Sequence, residues 1–194
     1  MKRILSTVLT IIFVATPLCA ETLGSSPLDS VQQLLGEIRQ IKPDPSAEKQ
    51  KHSQSALSLF NLEEISKKAL GKYWSKLNET EQEKFQILLG KLFVHVAFPS
   101  SSKFFTKLDL VYEKTIKNKT VVVVPLTVAH EKEGEVGIDF HLTQNKNKWQ
   151  VVDVILDGVS MRNNLRSQFY KVIKKKGFNE LIRKMDKKLI SAKS

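Results

Sequence analysis

The stretch Trp149-Gln150-Val151-Val152-Asp153-Val154-Ile155-Leu156-Asp157-Gly158-Val159-Ser160 decides the fold. Apart from Asp153, Val151 to Leu156 is apolar on both faces of an extended chain, which predicts a strand covered on both sides. Asp153 interrupts the run, and it either sits near a sheet edge or accepts hydrogen bonds that fix the turn at Gly158 and Ser160. Downstream, Leu165, Phe169, Val172 and Ile173 recur at helical spacing, Gly177 marks a C′ stop, and Phe178, Leu181, Ile182 and Met185 begin a second amphipathic run.

Upstream, Leu108 to Ile116, Thr120 to His130 and Glu135 to Thr143 share the same valine- and isoleucine-rich character and are separated by short polar loops. With Lys148 to Leu156 they predict four antiparallel strands in a meander. In Glu135 to Thr143, Val136, Ile138, Phe140 and Leu142 share one face, and Gly137, Asp139 and His141 the other, so this strand is half-buried. Before the strands the period is helical. Leu28, Val31, Leu34, Leu35, Ile38 and Ile41 form one stripe, stopped by Pro43 and Pro45, and a polar helix follows from about Ser46 to Leu59. Asn61 with Glu64, and Thr80 with Glu83, have the spacing of capping boxes. Gly71 ends the first of these helices, and Phe85, Leu88, Leu89, Leu92, Phe93 and Val96 stripe the second until Pro99 and three serines break or kink it. Helices, then strands, then helices define an α+β fold.

Lys2 and Arg3, the apolar run Ile4 to Val14 and the small residue Ala20 predict a secretory signal over residues 1–20, leaving residues 21–194 as one domain. If Cys19 leaves with the signal, no cysteine remains for disulfides, thiol chemistry or metal ligation. Cleavage before Cys19 and lipidation would need a smaller residue than Leu18. No later stretch approaches the ~18 apolar residues of a membrane span. The net charge of +11 favours encounter with anionic surfaces. Without interleaved aromatics, and behind an export signal, it does not point to nucleic acid.

The block Trp149 to Ser160, with Asn164, Arg166, Gln168-Phe169, Gly177 and Leu181 after it, resembles the MlaC family of periplasmic phospholipid-binding proteins, also called the toluene-tolerance auxiliary component of an ABC transporter. Leu70-Gly71-Lys72-Tyr73-Trp74, then Thr80, Gln82 and Phe85, resembles that family's leucine-glycine-aromatic turn and following helix. The likeness covers roughly residues 55 to 190. It implies a nuclear-transport-factor-like cone, in which N- and C-terminal helices wrap a curved four-stranded sheet. It also implies a monomeric carrier of glycerophospholipid across the periplasm, between an outer-membrane lipoprotein complex and an inner-membrane ABC transporter with a mammalian-cell-entry domain protein, in a system that maintains outer-membrane lipid asymmetry. Two features depart from the family: the high lysine content, and Phe98-Pro99-Ser100-Ser101-Ser102 in place of a more helical, tyrosine-bearing region.

A diacyl lipid carries about 30 methylenes at ~0.8 kcal/mol each, so a carrier must enclose them. The candidate wall comprises Tyr73, Trp74, Leu88, Leu92, Phe93, Val96, Phe104, Phe105, Ile138, Phe140, Val152, Val154, Leu165 and Phe169. For each of these, filled core and cavity wall remain alternatives in the sequence. No charged clamp for a head group stands out; Lys72, Lys103 and Lys174-Lys175-Lys176 read as solvated faces or as long-range attraction for anionic surfaces. Asp139 and His141 would point together, but away from an apolar pocket, so they read as surface and not as a catalytic pair. His52, His95, His130 and His141 lack paired metal-ligand spacing. Neither catalysis, a cofactor nor a metal is expected. A carrier of another lipid such as a hopanoid, and a periplasmic adaptor of the transporter with a solid core, stay open as alternatives.

Overall fold

A computed structural model describes residues 26–42, 46–130 and 134–193. The leader and the two prolines Pro43 and Pro45 lie outside them. Helix α1 (Pro27–Arg39) opens on a capping box between Ser26 and Asp29 and buries Val31, Leu34, Leu35 and Ile38. Helix α2 (Ala47–Ser58) is polar and docks on α1 through Glu37, whose carboxylate accepts from Ser55 Oγ at 2.8 Å and lies 2.6 Å from His52 Nδ1. Burial pushes the Glu37 carboxyl up, but the hydrogen bonds from His52 and Ser55 outweigh it and hold the group below the usual range. The stability from this docking is therefore fully present above the unfolded-state pKa of Glu37 and is lost as pH falls through the lowered one.

Asn61 caps α3 (Leu62–Leu70) by accepting from the Glu64 amide at 3.0 Å, as the spacing predicts. Helix α4 (Glu79–Leu92) begins earlier than Thr80 and Glu83 suggest. Asn78 accepts from the Glu81 amide at 2.9 Å while Glu81 accepts from the Asn78 amide at 3.0 Å, so this reciprocal pair takes the cap. The serine segment is also a correction, because Phe98–Phe105 is a helix, α5. A π turn over Phe93–Ala97 precedes it, and Pro99 falls in its first turn, where a missing N–H costs little. Ser102 donates to the Ile41 carbonyl at 2.8 Å, and the Arg39 guanidinium donates to the carbonyls of Phe105 and Leu108, fastening α5 to α1.

The sheet is open and antiparallel, with β1 (Leu110–Tyr112), β2 (Ile116–Lys117), β3 (Val122–His130), β4 (Gly134–Asn145), β5 (Lys148–Leu156) and β6 (Val159–Ser160). Its order is β1-β3-β4-β5-β6, and β2 also pairs with β3. Six strands replace the expected four for two reasons. The expected strand Leu108 to Ile116 splits opposite Pro125, which has no N–H to give the outer ladder. Asp157 and Gly158, both at positive φ, make a two-residue hairpin turn that adds β6. On β4, Val136, Ile138, Phe140 and Leu142 are buried and Gly137 is exposed, in the predicted alternation.

Helix α6 (Met161–Lys193) runs to the end of the described chain and is broken only at Gly177, at φ 79° and ψ 174°. Its first half meets α3 at Gly71, which ends α3 at φ 47° and ψ −121°. There the Lys72 amide donates to the Tyr170 hydroxyl at 3.0 Å, and the Tyr73 and Tyr170 rings meet edge to face at 4.9 Å. A Cβ at residue 71 would overlap that hydroxyl. Gly71→Ala should therefore cost about 1–3 kcal/mol from backbone strain, and more from the clash, in urea unfolding. An unchanged midpoint would show that this contact carries no stability.

Candidate functional site

The apolar interior is divided in two. One core lies beneath the sheet, where Leu34, Leu35 and Ile38 of α1 face Val124, Leu126, Ile138, Phe140 and Val151. The other is helical and packs Leu70 of α3, Phe85 and Leu89 of α4, and Phe169, Leu181 and Met185 of α6. Phe60 and Phe93 touch both. Phe60, Phe93 and Phe98 form an aromatic triangle with centroid separations of 5.3, 5.8 and 5.9 Å. Rigid rings at this junction leave space that neither core fills.

That space is a cavity of about 520 Å³ walled by the triangle, Phe104 and Phe105 of α5, Ile138 and Phe140 of β4, Val154 and Leu156 of β5, and Met161 and Leu165 of α6. Its polar groups are Ser100, Ser101 and Asn164, and no charged side chain of the described residues lines it. Its volume falls within the roughly 300–1,000 Å³ of ordinary ligand sites. A second cavity of about 500 Å³ lies between the α4–α5 segment and α6, lined by Leu89, Leu92, Val96, Phe169, Val172, Leu181 and Met185. Phe93, Ala97 and Leu165 belong to both walls and form the partition. The π turn presents Phe93 and Ala97 to it.

The sheet side of the site depends on a β-bulge. His141 pairs with Asp153 and Leu142 with Val151, leaving Val152 as an extra residue. Val151 and Val154 thereby share the interior face although three positions apart, and Val152 is displaced from it. The free edge of β5 at the bulge is covered by the α2–α3 link: the Asn61 amide donates to the Val151 carbonyl at 3.0 Å, and the Val151 amide to the Leu59 carbonyl at 2.8 Å.

Asp153 holds the helical side against the sheet. Its carboxylate, 3% exposed, accepts from the Val154 amide at 2.9 Å, the Arg162 amide at 3.0 Å and Ser160 Oγ at 2.6 Å, with the Arg162 guanidinium 3.4 Å away. Ser160 Oγ in turn accepts from the Asn163 amide at 3.0 Å. Free N–H groups at the start of α6 are satisfied from β5 and β6, and the carboxylate sits at the positive end of the helix dipole. This arrangement places Met161 and Leu165 over the first cavity.

Of the residues predicted as wall, Phe93, Phe104, Phe105, Ile138, Phe140, Val154 and Leu165 line the first cavity; Leu92, Val96 and Phe169 join Phe93 and Leu165 around the second. Four lie elsewhere. Tyr73 and Trp74 pack on the rim of the helical core, with Tyr73 locked to Tyr170; Leu88 is buried within that core; Val152 is set aside by the bulge. Sequence reasoning missed Leu35, Ile38, Phe60, Phe98, Leu156 and Met161. Leu35 and Ile38 belong to a helical stripe read only as packing. Asp139 and His141 occupy the sheet face away from the cavity, and among the described residues no three His, Cys, Asp or Glu side chains cluster as metal ligands.

The chain matches the family described as MlaC protein over residues 28–187. It is 26% identical, over 94% of its length and 89% of the relative's, to the intermembrane phospholipid transport system binding protein MlaC of Haemophilus influenzae. Its fold resembles a phospholipid-binding protein from Ralstonia solanacearum solved in complex with a phospholipid, with a TM-score of 0.72 at 21% identity, covering 88% of this chain and all of the other.

Asp153→Ala should cost about 2–4 kcal/mol in urea unfolding, because it takes the acceptor from the part-buried Val154 and Arg162 amides and the opposite charge from the Arg162 guanidinium. Amide exchange at Arg162 and Asn163 should accelerate before exchange in α4 does. Equal acceleration throughout would show that Asp153 has no local role in seating α6.

Proposed function

We propose, from the premise that this chain belongs to the MlaC family, that it is a phospholipid carrier. The observation that carries this reading is the apolar cavity of about 520 Å³ left between sheet and helices in a chain of that family. Acyl chains lie against Phe93, Phe104, Phe105, Ile138, Phe140, Val154 and Leu165, with Leu92, Val96 and Phe169 available to a chain that passes the partition. Binding is driven by removal of methylenes from water, at ~0.8 kcal/mol each, and needs no reacting group.

The carrier works in the periplasm after removal of residues 1–20, as a monomeric domain over residues 21–194. It shuttles glycerophospholipid between an outer-membrane lipoprotein complex and an inner-membrane ABC transporter with a mammalian-cell-entry domain protein, and so helps maintain outer-membrane lipid asymmetry. The Haemophilus influenzae relative's description as part of an intermembrane phospholipid transport system supports this. Release follows when a docked partner separates α6 from the sheet.

Native mass spectrometry of protein purified without detergent should reveal a bound mass that fragments as a phospholipid. A lipid-free protein would point to the adaptor, and a hopanoid mass would reassign the cargo. Ala97→Trp, which plugs the partition from an exposed position, should lower retained lipid about tenfold, equivalent to ~1.4 kcal/mol, with stability changed by no more than about 0.5 kcal/mol. Full retention would remove the partition from the binding site. A disulfide engineered between β5 and the first half of α6 should permit binding yet block vesicle-to-vesicle transfer until reduced. Unhindered transfer by the oxidised protein would refute the opening step.

A further inference from the structure

The second cavity differs from the first in what surrounds its mouth. Lys184 and Lys188, on the second half of α6, stand at its edge, whereas the first cavity has no charged lining among the described residues. Through Gln168, Val172 and Lys184 the second cavity continues into a groove of about 370 Å³ that also bears Lys171, Lys175 and Lys176. An apolar slot thus opens directly onto a four-lysine groove, and slot and groove together carry five lysines.

The helix dipole does not account for all of these charges. Lys175 and Lys176 precede the Gly177 break and can offset the end of the first helical half, but Lys184 and Lys188 lie inside the second. None of the five makes an ion pair with a carboxylate among the described residues. Glu180, an acidic neighbour, is held instead by Arg183 at 2.7 and 2.8 Å. Concentrating lysines around one mouth, in excess of the nearby Glu180 that also attracts Lys176 and Lys184, costs self-repulsion that an anion would relieve.

We infer that this slot and groove form a head-group subsite selecting phospholipids of net negative charge, with an acyl chain in the second cavity and the phosphate among Lys171, Lys184 and Lys188. A zwitterionic head group brings its own ammonium into the same field, so its gain is smaller. The phosphatidylglycerol class fits better than phosphatidylethanolamine. The inference rests on the carrier reading and adds to it a preference among cargoes. The partition at Phe93, Ala97 and Leu165 lets this subsite fill alongside the first cavity.

The test incubates the full mature chain with vesicles of equimolar phosphatidylglycerol and phosphatidylethanolamine, separates protein from vesicles, and quantifies bound lipid by native mass spectrometry. Phosphatidylglycerol should be enriched about fivefold, the scale expected from a few partly exposed charge contacts. K184Q/K188Q should abolish the enrichment, with phosphatidylglycerol loading falling to the level of phosphatidylethanolamine. K146Q/K148Q, at the β4–β5 hairpin tip and away from both cavities, removes the same charge and should keep it. Equal loading of both lipids by the wild type would overturn the subsite and leave the carrier intact. Equal loss of enrichment in both variants would also overturn it, assigning the preference to general attraction to anionic membranes. Uptake of neither lipid would overturn the carrier reading and the subsite together.

Discussion

The buried carboxylate of Asp153 is the constraint on which the interior depends. It receives two backbone amides and the Ser160 hydroxyl, and it stands beside the Arg162 guanidinium. A charge so deeply desolvated is tolerable only when its lone pairs are satisfied and an opposite charge is close. Satisfying them fixes β5, β6 and the first turn of α6 as one unit. From that unit, α6 crosses the mouth of the sheet with Leu165 over the cavity and then enters the helical core at Phe169.

Two cores built this way cannot merge. The sheet core is closed by α1 and α5, the helical core by α3, α4 and α6, and the rings of Phe60, Phe93 and Phe98 hold them apart at the seam. A seam lined almost wholly by apolar side chains is unattractive to water, which needs two to four polar partners. Leaving it open forfeits dispersion contacts and so lowers stability. An apolar ligand seated there would restore those contacts.

Several of these features were legible in the residues. Alternation on β4, the Asn61 cap, and the stops at Gly71 and Gly177 all follow from local chemistry that leaves a spacing signature, whereas for Asp153 the sequence left an edge position and an acceptor role both open. The failures have equally local causes. Asn78 and Thr80 both stand three residues before a glutamate, and only the three-dimensional hydrogen bonds choose between them. Pro99 looks like a breaker until the π turn before it supplies the room and Ser102 the anchor. The Asp157-Gly158 pair carried the signal for β6, since both residues must adopt positive φ in a tight hairpin turn. The bulge at Val152 left no trace in a run that is apolar on both sides of Asp153, and so Val152 was aligned with Val154 on the cavity side.

By itself, the sequence determined the element types, the inward faces and the supply of apolar wall, because helical and extended periods are properties of neighbouring residues. Only tertiary structure decided which of those faces meet and which do not. Tyr73 became a clamp on Tyr170 of α6, Trp74 packed on the rim of the helical core, Leu88 became solid core, and Leu35, Ile38, Phe60 and Phe98 became cavity wall. A vacancy is a property of the distance between elements distant in the chain, here set by a bulge, a π turn and one buried carboxylate, and no local period encodes that distance.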